Sequence, residues 1–218
     1  MKHLVTPWLV LAILIFATAT ASAQTFGWPQ QFENGFGAGQ CASGNCGAGQ
    51  SAALDLMDPR NFKLRDYRQM FLSGSTPTPQ DLIGTWRGVN KGIVTLLGFK
   101  QFVKEIQPTA CGLYGENIRV EQVANECLRQ IGWQPKPDKS GNLQYHDRFQ
   151  IQPQDCKGKF GHGIIFSYRD GGNRKLAPSR VLVDRVVKID PNHLVGRVIV
   201  RTLGGPIPVA YFVLERVN

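Results

Sequence analysis

Residues 181–217 read VLVDRVVKID PNHLVGRVIV RTLGGPIPVA YFVLERV, and this stretch decides the fold. Val181 to Ile189 is β-branched and apolar enough to form one strand. Asp190-Pro191-Asn192-His193 has turn chemistry. Leu194 to Leu203 is a second strand, Gly204-Gly205-Pro206 turns again, and Ile207 to Val217 is a third. Three strands joined by such short connections form an antiparallel meander.

Working outward, the same period of two recurs upstream. Leu82, Gly84, Trp86 and Gly88 alternate with Ile83, Thr85 and Arg87, and Ile164, Phe166 and Tyr168 alternate with Ile165, Ser167 and Arg169. Two pieces instead carry helical spacing. Phe99, Phe102, Val103 and Ile106 match i, i+3, i+4, i+7, as do Val120, Val123, Ala124, Cys127, Leu128 and Ile131, although Asn117 to Val123 also reads as the start of a strand. Pro135 to Asp147 reads as loop. A mainly antiparallel domain over residues 81–218 with few helices fits a closed barrel better than a sandwich, because closure removes exposed edges.

Gly84-Thr85-Trp86-Arg87-Gly88, at the start of the first strand, resembles the G-x-W motif of lipocalins and their calycin relatives. In that family the tryptophan closes one end of the barrel, and an arginine from the last strand packs across it. Arg216, in Phe212-Val213-Leu214-Glu215-Arg216, falls where that arginine would sit. The same two ends are similar to small bacterial G-x-W-x-G domain proteins of unknown function. The resemblance implies a lipocalin-like β-barrel that holds a small ligand, with Trp86, Phe166, Tyr168, Arg185, Phe212 and Arg216 as candidate interior residues. Trp86 and Arg216 would be closing structure more than ligand contacts. Arg185 shares the parity of Val183 and Val187, so it is expected on the apolar face. There it would hold an internal carboxylate or an anionic headgroup, unless a β-bulge turns it outward.

The segments before the barrel have other roles. Lys2 and His3, the apolar run Leu4 to Ala17 and Ala21-Ser22-Ala23 have the anatomy of a secretory signal peptide over residues 1–23, with Gln24 as the mature N-terminus. Residues 24–57 are rich in Gly and Gln, with Gly37-Ala38-Gly39-Gln40 recurring at Gly47-Ala48-Gly49-Gln50, and read as a flexible arm. Residues 58–80 hold a helix, capped by Asp58-Pro59 and ended by Ser73-Gly74, and then the linker Thr76-Pro77-Thr78-Pro79. Export makes disulfides the default for Cys41, Cys46, Cys111, Cys127 and Cys156. The expected pairs are Cys41–Cys46 and Cys111–Cys127, which leaves the odd thiol over.

Composition bounds the partners. The 218 residues are 42% hydrophobic and 19% charged, which suits one core and excludes a long coiled coil or a polytopic membrane protein. The net charge of +9 falls to +8 once Lys2 leaves with the signal. It is uneven, since Lys157 to Asn218 carries eleven Lys/Arg against four Asp/Glu. Such a region is drawn to an anionic envelope polymer or membrane, or simply keeps the protein in solution. No nucleic-acid reader motif accompanies it.

No Gly-x-Ser-x-Gly elbow, His-Glu-x-x-His helix or Gly-Lys-Ser/Thr loop is present. Nor do cysteine and histidine spacings suggest a zinc site. His146, His162 and His193 read as a polar loop residue, a strand-entry residue and a turn residue, and no axial histidine for haem stands out. The expected function is therefore non-catalytic binding of a small apolar or amphipathic ligand, without a metal or cofactor. An envelope interaction module is the alternative.

Overall fold

A computed structural model describes residues 55–152 and 162–217 of the chain. Eight strands form a closed antiparallel barrel in which each strand pairs with its neighbour in sequence. They are β1 (Gly84–Gly92), β2 (Gln101–Thr109), β3 (Gly112–Ile118), β4 (Tyr145–Gln152), β5 (Ile164–Ser167), β6 (Leu182–Asp190), β7 (His193–Thr202) and β8 (Gly205–Arg216). Closure comes from β8 returning to β1, where Trp86 pairs with Arg216 and Gly92 with Ala210. The expected meander is β6–β8, displaced by about a residue at its ends. With its G-x-W entry, this closed up-and-down barrel is lipocalin-like.

The helices are short: α1 (Leu64–Ser73), α2 (Pro79–Leu82) and α3 (Leu128–Ile131). Helix α1 begins later than Asp58-Pro59 suggests. The Asp58 carboxylate accepts from the backbone N–H of Arg60 at 2.9 Å, which turns the chain before the helix starts. Asp66 then accepts from the Lys63 N–H at 2.7 Å and caps it. Thr78 and Asp81 form a capping box that nucleates α2 directly before β1.

The wall of the barrel is apolar on both sides. Inside are Trp86, Ile106, Phe149, Phe166, Tyr168, Val186, Leu194, Phe212 and Leu214. Outside, Val103, Ile118, Val187, Val195 and Val213 are buried under Tyr67 and Phe71 of α1 and under Trp133. The Trp133 indole N–H donates to the Gly88 carbonyl at 2.9 Å. Two-sided burial explains why Phe99 to Ile106 imitates a helix. Val103 is covered from outside while Ile106 faces in, so β2 stands where the spacing suggests a helix. The second helix-like piece reduces to a 3₁₀ turn over Asn125–Cys127 and the single turn of α3. The segment read as loop up to Asp147 gives β4 its first residues.

Three inward glycines make room for aromatic rings. A Cβ at Gly88, Gly115 or Gly196 would fall 2.3, 2.3 or 1.9 Å from a ring atom of Phe102, Phe149 or Phe212. Each ring therefore lies flat across a neighbouring strand, and the rings fill the middle of the barrel.

The expected Cys111–Cys127 disulfide is not formed. Cys111 is a free, exposed thiol at the tip of the β2–β3 hairpin, where Thr109 pairs with Gly112. Cys127 is half-buried beside Leu128 in the β3–β4 connection. Closing the bridge would require one of these settings to open. Cys41, Cys46, Cys156 and the proposed signal peptide lie outside the described residues.

The overlap between Gly196 and the Phe212 ring makes a direct test of this packing. Gly196→Ala is expected to lower stability by about 1–3 kcal/mol in urea unfolding. Adding Phe212→Leu should return part of that loss, because the smaller side chain leaves space for the methyl. Independent, additive losses would contradict the packing.

Candidate functional site in the barrel interior

The two ends of the barrel differ. At the end where β1 starts and β8 finishes, the Arg216 guanidinium lies 4.3 Å from the Trp86 ring centroid. It donates to the carbonyls of Ile83 at 2.8 Å and Asp81 at 2.6 Å, and the Trp86 indole donates to Leu82 at 2.8 Å. Leu82 and Trp86 have no exposed surface, so this end is sealed. Trp86 and Arg216 thus hold the closing positions that the lipocalin resemblance implies. At the opposite end, the residues packed on the interior cluster include the half-buried Val94, Leu182 and Val209.

Outside the sealed end lies a charged cluster. Glu215 faces Arg129 at 2.7 Å, Arg87 at 3.5 Å and His193 at 3.6 Å. Burial alone would raise the Glu215 carboxyl, yet His193, Arg129 and Arg87 bring it down to about 2. Glu215 and, against the pull of burial, Asp190 raise His193. His193 is thus part of the structural end of the barrel, in keeping with its turn position.

The centre of the interior holds a cation. Lys104 projects inward from β2, and its side chain is only 2% exposed. Its ammonium donates to Asn117 Oδ1 at 2.7 Å and to the Tyr168 hydroxyl at 2.8 Å. The Tyr168 hydroxyl in turn donates to Asp184 Oδ2 at 2.8 Å, and Asp184 stands 3.6 Å from Lys104 Nζ. The Asn117 amide is fixed by the Asp147 carbonyl at 3.2 Å. Aromatic faces complete the shell: Phe149 at 4.6 Å, Phe102 at 5.1 Å, Phe212 at 5.5 Å and Phe166 at 5.9 Å from Nζ. All are within the range at which a ring face attracts a cation.

The electrostatics follow from burial. Loss of solvent pushes the Lys104 ammonium down and the Asp184 carboxyl up, and the charge of each opposes the shift of the other. Burial, followed by the charge of Asp184, raises the Tyr168 phenol, so it stays protonated and serves as a donor. The result is Lys104, Tyr168 and Asp184 joined in an interior of aromatic and aliphatic side chains, with the charge of Asp147 acting on all three.

Of the residues expected inside, Trp86, Phe166, Tyr168 and Phe212 are there. Arg185 is not. It is fully buried, but on the outer face of β6, where it donates to the Gly163 carbonyl at 2.5 Å. The alternation read from the sequence is right: Val183, Arg185 and Val187 share a face, and that face is the one covered by α1. The internal carboxylate is its neighbour Asp184, and the internal cation is Lys104. Both escape a reading of the sequence. Lys104 sits in a stretch with helical spacing, and in β6 the alternate set Leu182, Asp184, Val186 is nearly as apolar as the set beside it. A charged residue between two apolar ones in each of two strands was the available signal.

His162 lies outside the barrel wall, whereas the half-buried His146 pairs across the strands with the inward Asn117. His146 Nδ1 lies 2.8 Å from Asp147, and the His162 ring packs 5.0 Å from that of Phe71 outside the barrel. Among the described residues, no group of three or more His, Cys, Asp or Glu is placed to hold a metal ion.

The chain matches no protein-family model and no curated protein sequence. It is similar in structure to a protein from Thermomonospora curvata, at 13% identity and a TM-score of 0.38 over 72% of this chain and 89% of that one. It is also similar to the siderocalin Ex-FABP, at 12% identity and a TM-score of 0.33 over 63% and 74% of the two chains. A third likeness is to zebrafish ileal bile acid-binding protein complexed with cholic acid, at 9% identity and a TM-score of 0.30 over 63% and 99%.

Removing one member of the central pair should expose its energetics. Lys104→Met leaves Asp184 buried without its cation and is expected to cost about 3–5 kcal/mol at neutral pH. Burial already holds Asp184 above its ordinary 3.8, and loss of the ammonium raises it further. A carboxyl with a folded value above its unfolded one subtracts stability once pH exceeds the unfolded value, and subtracts none when protonated in both states. The deficit should therefore shrink as pH falls, and Lys104→Met with Asp184→Asn should recover most of it. Equal losses across pH, read from denaturant midpoints, would contradict the pairing.

Proposed function

We propose that the protein is a carrier for a small amphipathic anion, held inside the barrel. The single observation that supports this is the Lys104 ammonium within a chamber of aromatic rings. A ligand site of this type is mostly apolar, with a few placed polar groups that fix orientation. Phe102, Phe149, Phe166 and Phe212 offer the apolar walls, and Lys104 is the group that would take a carboxylate or phosphate.

The exchange is chemically reasonable. Of the oxygen contacts at Lys104, the one to Asp184 is the longest, at 3.6 Å. Asp184 is also the group that burial already inclines to bind a proton. An entering anion can replace Asp184 as the counter-charge while Asp184 takes a proton and continues to accept from Tyr168. Entry is from the end lined by Val94, Leu182 and Val209, because Trp86 and Arg216 seal the other.

We propose binding and not catalysis, with Lys104, Tyr168 and Asp184 exchanging partners as the ligand enters. We further propose that the protein acts outside the cytoplasm. Support for this is the signal-peptide pattern of residues 1–23, and N-terminal sequencing of the exported protein should then begin at Gln24.

The test is a titration with a fluorescent polyene fatty acid and with the corresponding alcohol, which has the same chain and no charge. The parent protein should bind the acid more tightly. In Lys104→Met/Asp184→Asn the affinity for the acid should fall about tenfold or more, equivalent to about 1.4 kcal/mol, while that for the alcohol changes little. Uptake of neither probe by the parent, or equal affinity of the double variant for the acid, would overturn the carrier reading.

A further inference from the structure

Of the nine exposed large apolar side chains among the described residues, Leu64 and Leu72 are on α1 and the other seven are in or beside three connections between strands. Among the described residues, Leu203 is fully exposed, Leu176 is 92% exposed and Leu96 is 83% exposed. They stand on the β7–β8, β5–β6 and β1–β2 connections. In an up-and-down barrel these three connections lie at the same end, opposite the Trp86 seal. Phe99, Val181 and Ile207, also exposed, flank them in sequence. Single exposed leucines are ordinary on a protein surface, but a set drawn from separate loops onto one rim marks a contact surface.

These three connections are basic, while the β3–β4 connection at the same end is mixed, with Arg119, Arg129, Lys136 and Lys139 against Glu121, Glu126 and Asp138. Lys100, Arg169, Arg174, Lys175, Arg180 and Arg201 lie in or beside these three connections, against one carboxylate, Asp170. Asp170 accepts hydrogen bonds from Ser167 and Gln152, so it is tied back to the barrel wall.

Most other cations of the C-terminal region are built into the structure. Arg216 covers Trp86, Lys188 pairs with Asp81, Arg197 lies over Phe71, and Arg185 is buried at Gly163. The basic surplus noted in the sequence thus divides into structural cations and cations beside these connections, Lys157 and Lys159 lying outside the described residues.

We propose that this rim docks on an anionic lipid bilayer, with Leu96, Leu176 and Leu203 inserted among the lipid headgroups and the flanking lysines and arginines on the phosphates. Apolar tips with basic neighbours match the two-layered chemistry of a membrane surface, since adsorption gains from buried apolar area and from charge attraction together. The orientation places the less tightly closed end of the barrel against the lipid. This inference is independent of what the interior binds.

The test is flotation of the full chain with vesicles of phosphatidylcholine and phosphatidylglycerol, beside vesicles of phosphatidylcholine alone. The protein is expected to bind the anionic vesicles preferentially, and added salt should weaken binding. Leu96→Ser/Leu176→Ser/Leu203→Ser should lower partitioning about tenfold or more, with an unchanged circular dichroism spectrum and unfolding midpoint. Variant and parent share residues 1–54, so any difference belongs to the rim. Leu176→Trp alone should show a blue-shifted emission on adding anionic vesicles.

Absence of vesicle binding, binding indifferent to the three leucines, or leucine-dependent binding to a protein in place of vesicles would overturn the proposal. The result is separable from the carrier reading. The rim variant should keep its affinity for the soluble fatty acid, and Lys104→Met/Asp184→Asn should keep its affinity for vesicles.

Discussion

A lysine ammonium inside a closed barrel must be given partners, and much of the interior is arranged to supply them. Lys104 has an amide oxygen, a phenol oxygen, a carboxylate and four ring faces around it. Asn117 is oriented by a backbone carbonyl on β4, and Tyr168 bridges Lys104 to Asp184 on β6. The rings in turn depend on glycines opposite them, since a methyl at Gly88, Gly115 or Gly196 would occupy the volume of Phe102, Phe149 or Phe212. Charge, hydrogen bonding and ring packing are therefore one constraint, expressed in all eight strands.

A buried ion pair is weak evidence for stability, because apolar residues of similar volume commonly do as well or better. The interior of this barrel is otherwise well supplied with such residues. A pair retained in the middle of an aromatic chamber is more easily understood as a polar handle for something that enters. The asymmetry of the barrel agrees with that view: one end is shut by a stacked tryptophan and arginine, and the other is lined by half-buried valines and a leucine.

The fold was legible because β6–β8 is a meander with unmistakable turns, and because Trp86 and Arg216 stand at opposite ends of the domain sequence yet pair directly in the structure. The centre of the site was not legible, and the reason is physical. When α1 and Trp133 cover the outside of the wall, both faces of a strand become apolar and alternation no longer says which is the interior. That is why Arg185 was assigned to the chamber when Asp184 belongs there, and why the strand carrying Lys104 carried a helical pattern. Phe166 and Tyr168 were legible because they alternate with Ile164, and Trp86 because of the G-x-W motif it stands in. Cysteine pairing failed for a different reason, since proximity of Cys111 and Cys127 in sequence said nothing about a hairpin tip on one side and a 3₁₀ turn on the other.

The central claim is that Lys104 receives the anionic group of a ligand within the barrel. The most direct measurement is nuclear magnetic resonance of the Lys104 side chain, with its ¹³Cε resonance assigned by comparison with Lys104→Met/Asp184→Asn, during titration with octanoate. The account predicts a saturable shift of that resonance, together with shifts of the Phe149 and Phe212 rings. Shifts confined to surface lysines, with the Lys104 resonance unmoved at saturation, would contradict it.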